Sequence, residues 1–391
     1  MNNIWSSNKT VNYTICVLLF LLAINIFHYG QFLLPIICLI LFIDNKYKFK
    51  VNNTKAFIVL CLFSISFFIF SYKQGFYSVM GFCLPMAYYV GSNIKDNSEG
   101  GIKKTIYLIA FGMIVHVLLN FIVEIERNGL HLFASSSHYD FWISGKVGST
   151  ITTINCIPAI GFSYYLFKYE KNKYIKYGFL ISLAIFIIYN LGLGQRTVYL
   201  MIIISLLFSY VLDIKLTKSK VNKKAILILV AIILVLTLTV TYLITAEIID
   251  IYFIMDYVRV LKKFVLHGVG TTRLDIFFKT IKLAPYHLFG NREISTLMGI
   301  MPHDLWTDVY DWGGIVTFVL FVIHTVMFIK VFIKLIKNKN VSNKFKVFII
   351  PIFVCIIVQC MLEPIMSGVS LFLVVVIIFE SMIEKMIIYG K

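Results

Sequence analysis

Residues 312–346 read WGGIVTFVLFVIHTVMFIKVFIKLIKNKNVSNKFK. The first part, 312–330, is an apolar run long enough to cross roughly 30 Å of hydrocarbon at about 1.5 Å per residue. The second part carries Lys330, Lys334, Lys337, Lys339, Lys344 and Lys346, and positive charge of this density marks a connection kept on the cytoplasmic side of a membrane. The same alternation organises the rest of the chain. Apolar runs lie near 12–28, 31–43, 56–72, 75–91, 104–123, 151–167, 174–191, 197–213, 225–245, 312–330, 346–362 and 366–384. The reading is an all-α, polytopic membrane protein of about twelve helices forming one transmembrane domain over 1–391, with no separate soluble domain.

Composition requires the bilayer as solvent. Of 391 residues, 59% are hydrophobic and 14% charged, against about 25% charged in soluble domains. Such a chain has too little polar surface for a water-facing exterior. The first twelve residues lack a basic leader and a cleavage site, so the first run reads as a retained helix. The cysteines Cys16, Cys38, Cys61, Cys83, Cys156, Cys355 and Cys360 all fall in apolar segments, without metal-ligand spacing or a disulfide framework.

Charge placement sets the orientation. With the N-terminus in the cytoplasm, 25 of the 36 Lys and Arg fall in inner segments and 11 in outer ones, while acidic residues divide seven inside and twelve outside. The formal net charge of +17 therefore reflects topology, and no nucleic-acid partner is needed to explain it. Two outer loops are long enough to build a site, 124–150 and 246–311. The second carries Arg259, Lys262, Lys263, Arg273, Lys279, Lys282 and Arg292 on the side expected to be poor in positive charge. Either loop length frees it from the orientation rule or it meets a polyanion.

Within this loop Thr271 to Ala284 has the spacing of a helix, with Leu274, Phe277, Phe278 and Ile281 on one face and Arg273, Lys279 and Lys282 directed mostly elsewhere. It reads as an interfacial helix with snorkelling lysines, or as one whose Arg273 clamps a diphosphate. Pro285 ends it and Gly290 frees the turn that follows. His303, Asp304, Asp308 and Asp311 then precede the tenth apolar run, as a helix-capping loop or as a titratable site. Arg196 opens the eighth run after Gly192 and Gly194, as a lipid-phosphate anchor or a phosphate ligand. In the other loop His131, His138, Asp140 and Trp142 are candidates to contact sugar, or an ordinary loop with a Trp at the interface.

Three of these stretches resemble the O-antigen ligase and polymerase superfamily, which includes the O-antigen and capsular polysaccharide polymerases (Wzy). They are Arg196 in GQRTVYL, Arg273 with Pro285 and Gly290 in RLDIFFKTIKLAPYHLFG, and His303 with Gly313 and Gly314 in HDLWTDVYDWGGIVTFVL. The resemblance covers about 190–325. The chain departs from the family at Gly290-Asn291-Arg292, where Gly-x-Gly is common, and at Asp304, where Asn or Ser is usual.

What the resemblance implies is a GT-C-like glycosyltransferase in the cytoplasmic membrane that polymerises polyprenyl diphosphate-linked oligosaccharide on the outer face, without metal or cofactor. It implies His303 as the base, Arg196 and Arg273 as diphosphate ligands, and Arg292, Lys279, Lys282, Asp304 and Asp308 as substrate-binding residues. Membrane lipids and a chain-length regulator are the implied partners. An O-antigen ligase acting on a lipid A-core acceptor is the nearest alternative, and a lipid-linked oligosaccharide flippase a different class. A transporter needs ionisable groups at the midplane; Asp and Glu read as almost absent from span interiors, which favours an enzyme.

Reporter fusions after residues 50, 100, 172, 220 and 340 should report cytoplasm, and fusions within 124–150 and 246–311 the exterior. An exterior signal from 330–346 would overturn the twelve-span topology.

Overall fold

The structure, a computed structural model, describes residues 6–129, 137–143, 145–193, 195–217, 271–368 and 370–389. The ninth apolar run, 225–245, and Arg259, Lys262, Lys263 and His131 lie outside these residues. Among the described residues the chain is almost wholly helical, and four helices are long and apolar enough to cross a membrane: Glu99–Asn128, Thr197–Thr217, Leu305–Lys337 and Asn343–Leu362. The protein is all-α, and these helices mark it as a membrane protein.

In chain order the helices are α1 (Ser6–Ala23), α2 (Leu34–Asp44), α3 (Thr54–Phe70), α4 (Phe76–Val79), α5 (Cys83–Asn93), α6 (Glu99–Asn128), α7 (Thr150–Lys168), α8 (Lys173–Leu193) and α9 (Arg196–Thr217). After the undescribed segment come α10 (Thr271–Leu283), α11 (Glu293–Met298), α12 (Leu305–Lys337), α13 (Asn343–Leu362), α14 (Ile365–Gly368) and α15 (Ser370–Tyr389). Polar caps start several of them. Asn53 accepts from the Lys55 and Ala56 amides at 3.1 and 3.3 Å, Ser98 from Gly101 at 3.1 Å, and Ser342 from Phe345 at 3.2 Å, each satisfying amides left without a partner in the first turn.

Several apolar runs differ from a single uninterrupted helix. The first ends at Ala23, because Asn25, Phe27 and His28 take left-handed backbone angles and 3-10 turns fill the way to Leu34. The fourth is divided into α4, a 3-10 turn and α5. The 124–150 loop is partly structured: α6 runs on to Asn128, and strands β1 (Ser137–Tyr139) and β2 (Lys146–Gly148) pair antiparallel with His138 opposite Val147.

The core is one continuous apolar interior in which aromatic rings bridge helices. Phe162 of α7 stacks on Phe348 of α13 at 5.5 Å, and Phe63 of α3 meets Phe321 of α12 at the same separation. Contacts between connections show which loops share an end of the bundle. At one end Lys95 pairs with Asp44 at 2.5 Å, Lys103 with Glu170 at 3.3 Å, and Asn53 donates to Glu384 at 2.9 Å, while the Ser342 amide donates to Glu99 at 2.5 Å. At the other, Trp142 donates to Ile24 O at 3.2 Å, Gln74 to Asn291 O at 3.2 Å and Arg273 to Leu362 O at 2.8 Å. These are the two groups into which the lysine count sorts the connections, so one end is lysine-rich and the other holds Arg273.

The helix α12 is broken near its start. Gly314 sits at φ 67°, ψ −169° inside it, which frees backbone groups that a continuous helix would pair. The turn after Pro285 fills the gap: Ile315 N–H donates to Leu288 O at 2.9 Å, while Asn291 and Arg292 N–H donate to Trp312 O and Asp311 O at 2.8 and 2.6 Å. The two backbones lie so close that a Cβ on Gly290 would fall 2.3 Å from Gly314 N, and one on Gly314 2.3 Å from Leu288 O. Gly290 and the Gly313-Gly314 pair are thus two halves of one joint, and only glycine fits either side of it.

Replacing Gly314 by Ala should cost about 1–3 kcal/mol through left-handed strain and the clash with Leu288 O. It should be visible as a lower apparent Tm in detergent. Gly178→Ala in α8, where an added Cβ meets nothing within 4 Å, should not lower it.

Candidate functional site

The end of the bundle that holds Arg273 collects most of the residues singled out in the sequence. Arg273, in the first turn of α10, reaches across to the corner between α13 and α14. Its Nη1 donates to Leu362 O at 2.8 Å and its Nη2 to Glu363 Oε1 at 3.1 Å. Glu363 is buried, and its other oxygen accepts from Thr150 Oγ1, at the start of α7, at 3.4 Å. A guanidinium has five N–H donors, so two used for anchoring leave the fork oriented and the remaining donors free for an anion. The Arg273 side chain keeps 39% of its exposure, which leaves it open to such a ligand.

His303 lies in the extended segment before α12, half-buried, with Nδ1 enclosed and without a hydrogen bond among the described residues. Burial, and then the nearby Arg273 charge, hold its imidazole below the ordinary histidine value against a partial opposing effect of Asp304. The fold therefore brings Arg273 and His303 within electrostatic reach of one another, although thirty positions separate them in the chain. A neutral imidazole beside a fixed cation is a proton acceptor placed next to an anion site.

Arg196 opens α9, and its backbone belongs to the same end. The preceding residue, Gln195, donates through its side chain to Ser149 Oγ, next in sequence to the Thr150 that bonds Glu363. The orientation of the Arg196 side chain lies outside what is described.

The other expected residues have more structural surroundings. Asp304 caps α12, accepting from the Thr307 amide at 2.9 Å and from the Thr307 hydroxyl. Asp308 is buried in the first turn of that helix. Asp311 accepts from the Ser295 amide at 3.0 Å, tying α11 to α12. Arg292 lies over the face of Trp312 at 5.1 Å and starts α11, at the Gly290–Gly314 joint. Lys279 and Lys282 are exposed on α10. That helix meets the bundle through Ile276, Thr280 and Arg273, while Leu274, Phe278 and Ile281 stay 62%, 62% and 49% exposed. An apolar face turned away from the protein is what a helix lying in the membrane interface requires.

In the other loop His138 and Asp140 are buried, which assigns them to holding the hairpin against the bundle instead of to a sugar surface. Asp140 accepts from His116 Nε2 of α6 at 2.9 Å and from the Trp142 amide at 2.8 Å. Burial would raise its pKa, yet the hydrogen bond from His116 and the nearby His28 hold it well below the usual carboxylate range. Burial pushes His138 down to about 4, so it stays neutral under the hairpin. Trp142 packs edge-on against Phe27 at 5.5 Å.

Two groups escaped the sequence reading. Glu363 stood in a connection too short to draw notice, although a lone carboxylate between two apolar runs and beside Pro364 was a usable signal. The second is an exception to the reading that Asp and Glu are almost absent from span interiors. Glu380 of α15 is fully buried, and its Oε2 lies 3.2 Å from Nε2 of the buried His324 in α12. Glu384 is buried one turn further on.

Among the described residues no group of three or more His, Cys, Asp or Glu side chains is placed to hold a metal ion. Comparison with protein-family models and with curated proteins finds no match to the chain.

Removing the Arg273 charge should let His303 titrate nearer the ordinary value of about 6.5. In Arg273→Gln the His303 ring-proton NMR titration should move to higher pH than in the wild type, while Lys279→Gln on the exposed side of α10 should leave it in place. An unmoved midpoint in Arg273→Gln would separate the two residues.

Proposed function

We propose that the protein is a glycosyltransferase that joins polyprenyl diphosphate-linked oligosaccharide repeat units at the outer face of the cytoplasmic membrane. In this reading the chain crosses the membrane about twelve times in a GT-C-like arrangement, with both termini and the lysine-rich end in the cytoplasm. The observation that carries it is the pairing of Arg273 and His303 at the opposite end, with the guanidinium oriented by Glu363 and the imidazole held neutral.

The chemistry follows from these two groups. A hydroxyl oxygen of the acceptor glycan attacks the anomeric carbon of the donor, and the bond from that carbon to the phosphate oxygen breaks. His303 takes the hydroxyl proton as the new glycosidic bond forms. The departing diphosphate gains negative charge, which Arg273 and Arg196 stabilise where it develops. Arg292, Lys279 and Lys282 add positive potential along the approach, and the exposed apolar face of α10 seats this loop at the headgroups, where a lipid-linked donor presents its diphosphate. A ligase would use the same chemistry on a different acceptor, lipid A-core.

A second reading, proton-coupled movement of the lipid-linked glycan between leaflets, is favoured by one observation, the buried His324–Glu380 pair. Transfer of labelled repeat units between leaflets without any joining of them would select it.

The deciding measurement is turnover of lipid-linked repeat units by purified protein. His303→Ala should lower it by about 10²–10⁴-fold at unchanged abundance. In the wild type, turnover should rise with pH through the lowered His303 value and be level by about pH 7, because the neutral base is then fully formed. Unimpaired turnover by His303→Ala would remove it from the mechanism.

A further inference from the structure

The pair that joins α12 to α15 sits deep in the bundle. His324 lies ten residues past the Gly314 break, about 15 Å along the axis, or half the hydrocarbon thickness. Glu380 is near the middle of α15, and both side chains are almost without exposure. The 3.2 Å approach of His324 Nε2 to Glu380 Oε2 lacks hydrogen-bond geometry, and neither Glu380 oxygen has a hydrogen bond among the described residues. Buried carboxylates ordinarily carry two or three such bonds, and their lack here leaves the imidazole as the group that compensates the charge.

The charged and phenolic neighbours of the pair lie toward the lysine-rich end, while toward the Arg273 end the buried Thr317 of α12 shares a hydrogen bond with Ser66 of α3 at 2.5 Å. From α5, Tyr88 comes within electrostatic reach of Glu380 and donates its hydroxyl hydrogen bond to Glu384, one turn along α15. Glu384 in turn accepts from Asn53 at 2.9 Å, at the lysine-rich end. Toward the Arg273 end the interior around α12 is aromatic, with Phe321 against Phe63 and Phe63 stacked on Phe67. On other helices packed against α15 and α12, Lys103 and Tyr107 of α6 bond Glu170, His116 of α6 bonds Asp140 and Lys346 of α13 bonds Ile336 O, while α3 brings Lys55 and Cys61 and α13 the buried Cys355 and Cys360.

We propose that His324 and Glu380 form a proton-binding site in the bundle interior, reached from the lysine-rich end through Glu384 and Tyr88. The ligand class follows from the donors. A hard metal cation asks for six or more oxygens, whereas one carboxylate and one imidazole suit a single proton. One proton makes the pair neutral whichever member carries it. None leaves a bare carboxylate and two leave an imidazolium, both costly in an apolar interior, so the singly protonated state is held as long as α12 and α15 stay docked. Release of the proton is thereby linked to their separation, and α12 has a break on the Arg273 side of the pair, at Gly314.

The test uses the purified full-length protein in lipid nanodiscs across about pH 5 to 8. Nitrogen-15 NMR of His324, assigned with His324→Gln, and the infrared carboxyl band of Glu380, assigned with Glu380→Gln, together count the protons on the pair. The expected count is one throughout, as an imidazolium or a protonated carboxyl. A neutral His324 beside an ionised Glu380 at pH 7 would overturn the site. Tyr88→Phe and Glu384→Gln, which leave the pair itself in place, should each slow replacement of that proton by deuterium about tenfold or more. Unchanged exchange in both would overturn the route.

Discussion

In hydrocarbon a backbone N–H or C=O without a partner costs several kcal/mol, and this constraint governs the structure around the break in α12. A helix that stops pairing at Gly314 must find its partners elsewhere, and the Leu288–Arg292 turn supplies them strand-fashion, two donors and one acceptor. Because those bonds are made to backbone, their geometry is insensitive to side-chain rotamers. They fix the turn, and the turn fixes what lies on either side of it. Before it, α10 is set down with Arg273 facing the bundle; after it, α11 and the extended segment carry His303 back to the start of α12. The candidate chemistry is therefore mounted on a broken helix whose break is filled by its own loop.

The electrostatics of the site are consistent with that mounting. A lone arginine at a membrane surface is free to follow any lipid phosphate, but Arg273 is held by Leu362 O and Glu363. The carboxylate offsets the cation in the resting protein and keeps the fork planar to the site without consuming all its donors. The same cation acts on His303 and keeps it basic only in the sense required of a base at neutral pH, unprotonated. Thr150, through Glu363, brings α7 into the arrangement, and Gln195 and Ser149 bring α9. Five segments remote in sequence thus converge at one end.

What was legible in the sequence was whatever depends on local composition. Runs such as 346–362 appear as helices because apolar length suffices, and loops such as 45–53 and 94–98 meet at one end because lysine content sorts them. The candidate residues Arg273, Gly290, His303 and Gly314 were legible as a pattern, but that Gly290 and Gly314 touch was not, since backbone-to-backbone approach leaves no mark beyond the glycines themselves. Interruptions were missed for a related reason. The angles at Asn25, Phe27 and His28 occur in ordinary residues within an apolar run, and hydropathy does not register them. Glu363 and Glu380 were passed over because a single carboxylate changes the mean of a twenty-residue window very little, while its energetic weight in an apolar interior is large.

That weight is the reason for treating the interior pair as more than packing. An ion pair taken out of water recovers through mutual attraction roughly what it loses in hydration, so replacement by apolar residues of similar size is often neutral or stabilising. The bundle around His324 and Glu380 already has packed aromatics of the kind that could fill the space, as at Phe63, Phe321 and Phe328. Stability alone therefore gives no account of two titratable groups at this depth, nor of a tyrosine and a second glutamate leading from them to the lysine-rich end. A group that exchanges charge with the surroundings needs both features: a partner that keeps the resting state neutral, and a polar line along which the charge can leave. At the Arg273 end the buried Glu363 likewise offsets a cation, but the guanidinium is part-exposed and its charge reaches the surroundings directly, and the interior pair and that end differ in their chemistry for this reason.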